Sequence, residues 1–318
     1  MINIPNRAIF LKIDQSFNII WTVSFMESIN HDQTSITQDQ SSLFFSKDCS
    51  VWWNFGKIST ADGSVPYYRA IWSRECKTAT LSNDETVIYI TGNDGASVHS
   101  IFVVNATDLS GLDSFVIPVQ GIHSIYAYGT ENRIITNAYI SSTGDQLATF
   151  ASEYSGGVLN TLWSKKLDWT FTICVSNSDT YSLVLDSLNQ VLVLGMDSSV
   201  PIIYSLDLTD GSLVGSIHYF WPSTHLNLVS NDISYSETYE KVFIAISFGD
   251  AFFKMEYDPV TMIFSNTLLL PGYKVGFITE WMGYSYFGLY NTAKWISRNW
   301  VDNTKTWEPN TWEVTLLI

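Results

Sequence analysis

Apolar and polar positions alternate on either side of a tight turn in residues 201–219. Ile202, Tyr204, Leu206 and Leu208 mark one arm, and Leu213 to Ile217 the other, around Asp210-Gly211. A period of two predicts a strand with one buried face, and Asp-Gly between two such runs predicts a hairpin. The same unit recurs along the chain. Comparable turns sit at Asp14-Gln15-Ser16, Ala61-Asp62-Gly63, Asp108-Leu109-Ser110-Gly111, Tyr154-Ser155-Gly156-Gly157, Asp258-Pro259-Val260 and Asp302-Asn303-Thr304. Asp, Asn, Ser and Gly suit these places because the backbone there takes positive φ or closes an Asx hydrogen bond.

The turns lie roughly 44 to 56 residues apart, close to the length of one four-stranded propeller blade. A strand c precedes each turn and a strand d follows it. Between one d and the next c there is room for two more strands, a and b. Residues 183–195 and 233–247 each read as such a pair. The last c strand, AKWISRN, leads to WEVTLLI at residues 312–318 as its d strand. Capped 3.6-residue periodicity is absent, so no helix is predicted.

The count predicts an all-β chain, a single β-propeller over residues 1–318. It has six full four-stranded blades plus an N-terminal c–d hairpin at residues 8–25, six or seven blades in total. That hairpin has no a and b strands before it. It can close a thinner seventh blade, pair with a neighbouring subunit, or belong to a blade whose first half lies upstream. Left unpaired, it exposes an apolar edge that seeks a partner. Phe10, Leu11, Ile13, Ile19, Ile20 and Trp21 are therefore the predicted assembly interface.

The form "apolar strand, Asp, turn with Gly, apolar strand ending in Trp" runs through LKIDQSFNIIW, KISTADGSVPYYRAIW and YSLDLTDGSLVG, and SGGVLNTLW keeps its second half. It resembles the repeat of the quinoprotein-dehydrogenase-like (PQQ/YVTN-type) β-propellers. In that family the Trp docks between neighbouring blades, and Trp21, Trp72 and Trp163 match it. The third and sixth hairpins lack the Trp. The resemblance implies a fold, because propellers host unrelated functions. A quinone cofactor would need a calcium carboxylate cluster. The most calcium-like loop, residues 91–95, holds Asp94 alone, and the vicinal cysteine pair of some family members is missing. No cofactor is expected.

Charge narrows the partners. Sixteen Lys+Arg against 31 Asp+Glu give a formal charge of −15, which repels nucleic acid. No run approaches the ~18 apolar residues of a membrane helix, so no membrane insertion is expected, and Met1 to Asp14 shows no apolar signal core. The three cysteines have no CxxC spacing. One disulfide, with Cys49 and Cys76 as the candidate pair, plus one thiol fits them; so do three buried thiols.

Chemistry finds little to hold on to. His31, His99, His123, His218 and His225 are scattered, and a metal-ligand or general-base reading competes poorly with strand or loop positions. Gly211 to Gly215 has nucleophile-elbow spacing but carries Leu213 at its centre. Residues 46–53 faintly resemble the Asp-box of sialidase-type propellers, which is itself a structural turn. Twelve Trp and 17 Tyr exceed what the blade faces need, so some are expected to face a protein partner or carbohydrate. Asn105-Ala106-Thr107 is a glycosylation sequon beside the third turn.

These features predict a non-catalytic structural and interaction propeller, extracellular or at the cell surface, that self-assembles as a homo-oligomer or polymer. One rival is a carbohydrate-active or quinoprotein-like enzyme with its site in the central funnel. The other is an intracellular scaffold with reduced Cys49 and Cys76 and unmodified Asn105. Deleting Met1 to Phe25 is expected to abolish assembly and leave a folded ring.

Overall fold

The computed structural model describes residues 2–4, 7–14, 18–25, 34–47, 53–71, 75–93, 98–140, 147–167, 181–197, 200–218, 228–236, 238–248, 251–271, 274–281, 284–290, 295–299 and 305–307. Among them the structure is all-β apart from one 3-10 turn, Asp186–Leu188. The chain divides into two compact units, Met1–Trp169 and Thr170–Ile318.

The first unit opens with a three-stranded antiparallel sheet of β1 (Ile2–Ile4), β2 (Arg7–Ile13) and β3 (Ile19–Phe25). Three four-stranded sheets follow. They are β4 (Thr34–Ile36), β5 (Ser42–Lys47), β6 (Trp53–Ser59) and β7 (Tyr67–Ile71); β8 (Glu75–Leu81), β9 (Val87–Asn93), β10 (His99–Asn105) and β11 (Gly111–Ile117); and β12 (Gly121–Tyr128), β13 (Arg133–Tyr139), β14 (Leu147–Ser155) and β15 (Val158–Leu167).

The second unit holds three more. They are β16 (Tyr181–Leu185), β17 (Gln190–Asp197), β18 (Val200–Asp207) and β19 (Leu213–His218); β20 (Leu228–Ser236), β21 (Lys241–Phe248), β22 (Ala251–Asp258) and β23 (Ile263–Pro271); and β24 (Lys274–Trp281), β25 (Tyr284–Tyr290), β26 (Trp295–Asn299) and β27 (Lys305–Trp307). Every sheet is a meander in chain order, so its last strand is always at an edge.

Two strands differ from the sequence reading. The N-terminal hairpin gains β1, which pairs Ile2 with Ile9 and Ile4 with Arg7. Three residues are too few for a period of two to declare itself. The seventh sheet closes with β27, pairing Ser297 with Trp307 and Arg298 with Lys305. Its place was expected to fall to residues 312–318, which lie outside the described residues. Short connections between neighbouring strands favour β27.

The core lies between successive sheets. In the first unit Phe10 meets Phe45 and Ile58; Phe44 and Phe55 meet Leu81, Ile88 and Val104; Tyr89, Ile101 and Val103 meet Ile122, Ile125 and Ile134. In the second, Leu192 and Ile203 meet Val242, Ile244 and Met255. A middle strand such as β9 is thus buried on both faces, whereas the outermost β11 alternates exposed and half-buried positions. That explains why middle strands read as continuous apolar runs. Inside, buried Asn137 donates to Ser124 Oγ at 2.8 Å and accepts from Thr149 Oγ1 at 2.8 Å.

Candidate interaction surface

The N-terminal hairpin is docked on its own chain. Phe10 is 6% exposed, its ring 5.1 Å from Phe45 and 6.0 Å from Phe25. Lys12 Nζ and Trp21 Nε1 both donate to the Thr60 carbonyl, at 2.8 and 3.0 Å. Of the predicted assembly residues, Phe10 and Trp21 therefore serve the contact with the second sheet. Ile19 and Ile20 stay 61% and 51% exposed. Leu11 and Ile13 lie in β2, and their side chains fall outside the described residues.

Trp21 occupies a place that recurs. In five sheets consecutive strand c residues face last-strand residues two apart, and the pair at that step is Lys12 with Trp21, Val103 with Asp113, Ala151 with Trp163, Ser205 with Gly215, and Ser297 with Trp307. For Trp21, Asp113 and Gly215 this position meets the c–d hairpin of the next sheet in the same unit. Trp21 lies across Gly63, where a Cβ would come within 2.9 Å of the indole. Asp113 accepts a short hydrogen bond from Tyr154, which pushes the Tyr154 hydroxyl up to about 12. Gly215 leaves room for Met262, whose sulfur would lie 2.2 Å from a Cβ there. Trp163 is buried, and Trp72 lies outside the described residues.

Four of the c–d turns share one geometry. Gly63, Leu109, Gly211 and Met262 all have φ between 58° and 75°. Each donates its N–H four residues back, to Ser59, Asn105, Asp207 and Asp258. The preceding Asp62, Asp108 and Asp210 accept from the N–H of Ser64, Ser110 and Ser212. Those bonds stabilise the carboxylate. The Ser64 N–H and hydroxyl hold Asp62 down to about 2, and the Thr37 hydroxyl with the Ser41 N–H does the same for Asp39.

Exposed apolar side chains gather on the outermost strands. Among the described residues thirteen large hydrophobics are exposed, and all but Ile36 and Val260 stand on such a strand. They are Ile19 and Ile20 on β3, Tyr67 and Tyr68 on β7, Leu112 and Val116 on β11, Val158 and Leu162 on β15, Leu213 and Val214 on β19, and Ile263 on β23. Strand alternation marked these segments but not which face meets solvent. Only the packing of successive sheets decides that.

The remaining predicted sites fall apart in space or out of view. Asn105 ends β10, half-buried, with Oδ1 accepting from the Thr107 N–H at 2.7 Å. Cys76 lies in β8; its side chain and Cys49 lie outside the described residues, as do Asp94, His31 and His225. His99 is buried in β10. Among the described residues no three His, Cys, Asp or Glu side chains cluster as a metal site requires. No helix there is long and apolar enough to cross a membrane.

No family model and no curated protein matches the sequence. Solved structures do. The β-propeller domain of Cps50 (Swd1) from Myceliophteria thermophila is similar over 89% of this chain and 87% of that one, with a TM-score of 0.62. The chain is a β-propeller. At 8% identity the likeness carries the fold alone.

Proposed function

We propose that this propeller is a non-catalytic interaction module, an extracellular or cell-surface subunit that associates with copies of itself into rings or fibres. The observation that carries the reading is the concentration of exposed apolar side chains on the outermost strands. Such a strand also presents backbone N–H and C=O groups on its free flank, and soluble proteins blunt these edges with Lys, Pro or bulges. β15 carries Lys165 and Lys166, but β3 and β19 contain no Lys, Arg, Asp or Glu. An added strand pairs with an unguarded edge through main-chain hydrogen bonds, and exposed apolar side chains set its register.

A glycan on Asn105 fits the same reading, because the sequon stands in a surface turn at the end of β10. Exposed Tyr67 offers an aromatic face on which a carbohydrate ring can stack.

The test is light scattering after size-exclusion chromatography of secreted material, with negative-stain microscopy and intact mass. Rings, fibres or discrete oligomers carrying a hexosamine-containing adduct at Asn105 support the proposal. An unmodified monomer at every concentration overturns it and turns attention to sugar soaks of the funnel.

A further inference from the structure

We infer that the gap between β7 and β11 is a binding slot for an acidic sugar, a uronate unit of a polysaccharide, which stacks on Tyr67 and sets its carboxylate on Arg69. This builds on the Tyr67 contact proposed above and does not require self-association.

The first unit has three gaps between successive outermost strands, and aromatic side chains fill two of them. Phe25 stacks on Tyr68 at 5.9 Å between β3 and β7, and Phe115 meets Tyr154 at 6.0 Å between β11 and β15. Among the described residues, no ring contact or ion pair crosses the gap between β7 and β11.

Strand register shows which side chains face this gap. Tyr67 and Arg69 stand beside Lys57 and Phe55, and Phe55 packs with Leu81, Ile88 and Val104 of the facing sheet. Ser114 and Val116 stand beside Phe102 and Ser100, and Phe102 packs on the same cluster. Deep in the gap the two sheets therefore close on each other. At the outermost strands Tyr67, Arg69, Ser114 and Val116 are all exposed, Val116 to 66%. A small apolar void lined by Phe44, Phe55 and Ala79 lies deeper between the same sheets.

The walls select the occupant. Packed sheets stand about 10 Å apart, and Ser114 and Val116 are short. The free width suits one flat ring, not a strand with side chains on both faces. Tyr67 offers an aromatic face to the ring's C–H side, and Ser114 a hydroxyl to a sugar hydroxyl.

Charge sets the sign. Arg69 and Lys57 both face the gap, and among the described residues neither makes an ion pair. Lys57 Nζ lies 5.2 Å from the centre of the Phe44 ring and 3.5 Å from the Ala106 carbonyl. Asp108 is held low first by the Ser110 hydroxyl and N–H and only then by Arg69. The guanidinium is thus open to a bidentate carboxylate. Two such cations facing one gap, in a chain of net charge −15, favour an anionic ligand there.

NMR titration of the full chain with a galacturonate tetrasaccharide tests this, beside a neutral galactose tetrasaccharide and pentaglutamate. Wild type is expected to bind the uronate with a Kd on the order of 1 mM, as suits a few contacts in an open slot, and to bind it more weakly in added salt. Arg69→Gln removes the cation and Ser114→Trp fills the gap. Both positions are exposed, so each variant should keep the wild-type circular dichroism and lose at least about tenfold in affinity, while Lys166→Gln on β15 binds like wild type. No binding, equal binding of the neutral sugar, tighter binding of pentaglutamate, or Arg69→Gln and Ser114→Trp that bind like wild type would each overturn the slot. Light scattering reads self-association separately, so either proposal can fail while the other stands.

Discussion

The indole of Trp21 lies across Gly63, in the turn of the next sheet, and its N–H reaches the Thr60 carbonyl at 3.0 Å. Gly63 is required twice. Its φ is +75°, and a Cβ would sit 2.9 Å from the ring. Gly63→Ala is expected to cost about 2–3 kcal/mol, roughly 1 from the left-handed backbone and the rest from a displaced indole and its hydrogen bond. A urea midpoint lowered with unchanged slope would verify it; an unchanged midpoint would mean that the turn has another conformation.

Phe10 is the hairpin's buried anchor against Phe45 and Ile58. Phe10→Ala should destabilise the first unit by about 3 kcal/mol, the low end for a buried Phe, because the three-stranded sheet has room to collapse. Removing residues 1–25 uncovers the same patch. The truncated chain should melt earlier and aggregate, where the sequence suggested a folded ring. Thermal unfolding followed by near-ultraviolet circular dichroism distinguishes the two.

Gly215 and Met262 repeat the Trp21–Gly63 contact with the sizes exchanged. Gly215→Ala brings a methyl to 2.2 Å from the Met262 sulfur, but an unbranched side chain can swing away. The expected loss is about 1–2 kcal/mol. In a Met262→Gly background, which also relieves a residue at φ +58°, the same change should cost nearly nothing. A double-mutant cycle should return a coupling of about 1 kcal/mol; additive effects would show that the two do not touch.

The turn carboxylates predict acid sensitivity. The Ser64 N–H and hydroxyl depress Asp62 from 3.8 to about 2 in the folded chain, and Asp39 behaves alike through Thr37 and Ser41. A folded value below the unfolded one contributes stability that is complete above about pH 4 and is lost as pH falls toward 2. Asp62→Asn should therefore be less stable than wild type at neutral pH, and the two melting temperatures should converge near pH 2. Parallel curves from pH 7 to 2 would contradict the assigned hydrogen bonds.

The strand pattern and its period were legible because outermost strands are half-exposed and their turns demand Asp, Gly or Ser. Trp21 was legible as an inter-sheet contact because a Trp recurs after some turns. Asp113 and Gly215 were not, since they hold the same position with opposite chemistry, and only the bulge register reveals it. The Asp108 and Asp258 turns were legible as members of one class, but Leu109 and Met262 adopt positive φ without being Gly, so the sequence did not show which residue turns left-handed. Exposure of Leu112 and Val116 was hidden too. Alternation names two faces, and the neighbouring sheets decide which one is covered.

The most direct test of the interaction account is hydrogen–deuterium exchange of the full chain, dilute and concentrated. The account predicts that concentration slows exchange in outermost strands, β3 and β19 among them, and leaves β9 and β13 unchanged. Identical exchange at both concentrations, or new protection confined away from these edges, would contradict it.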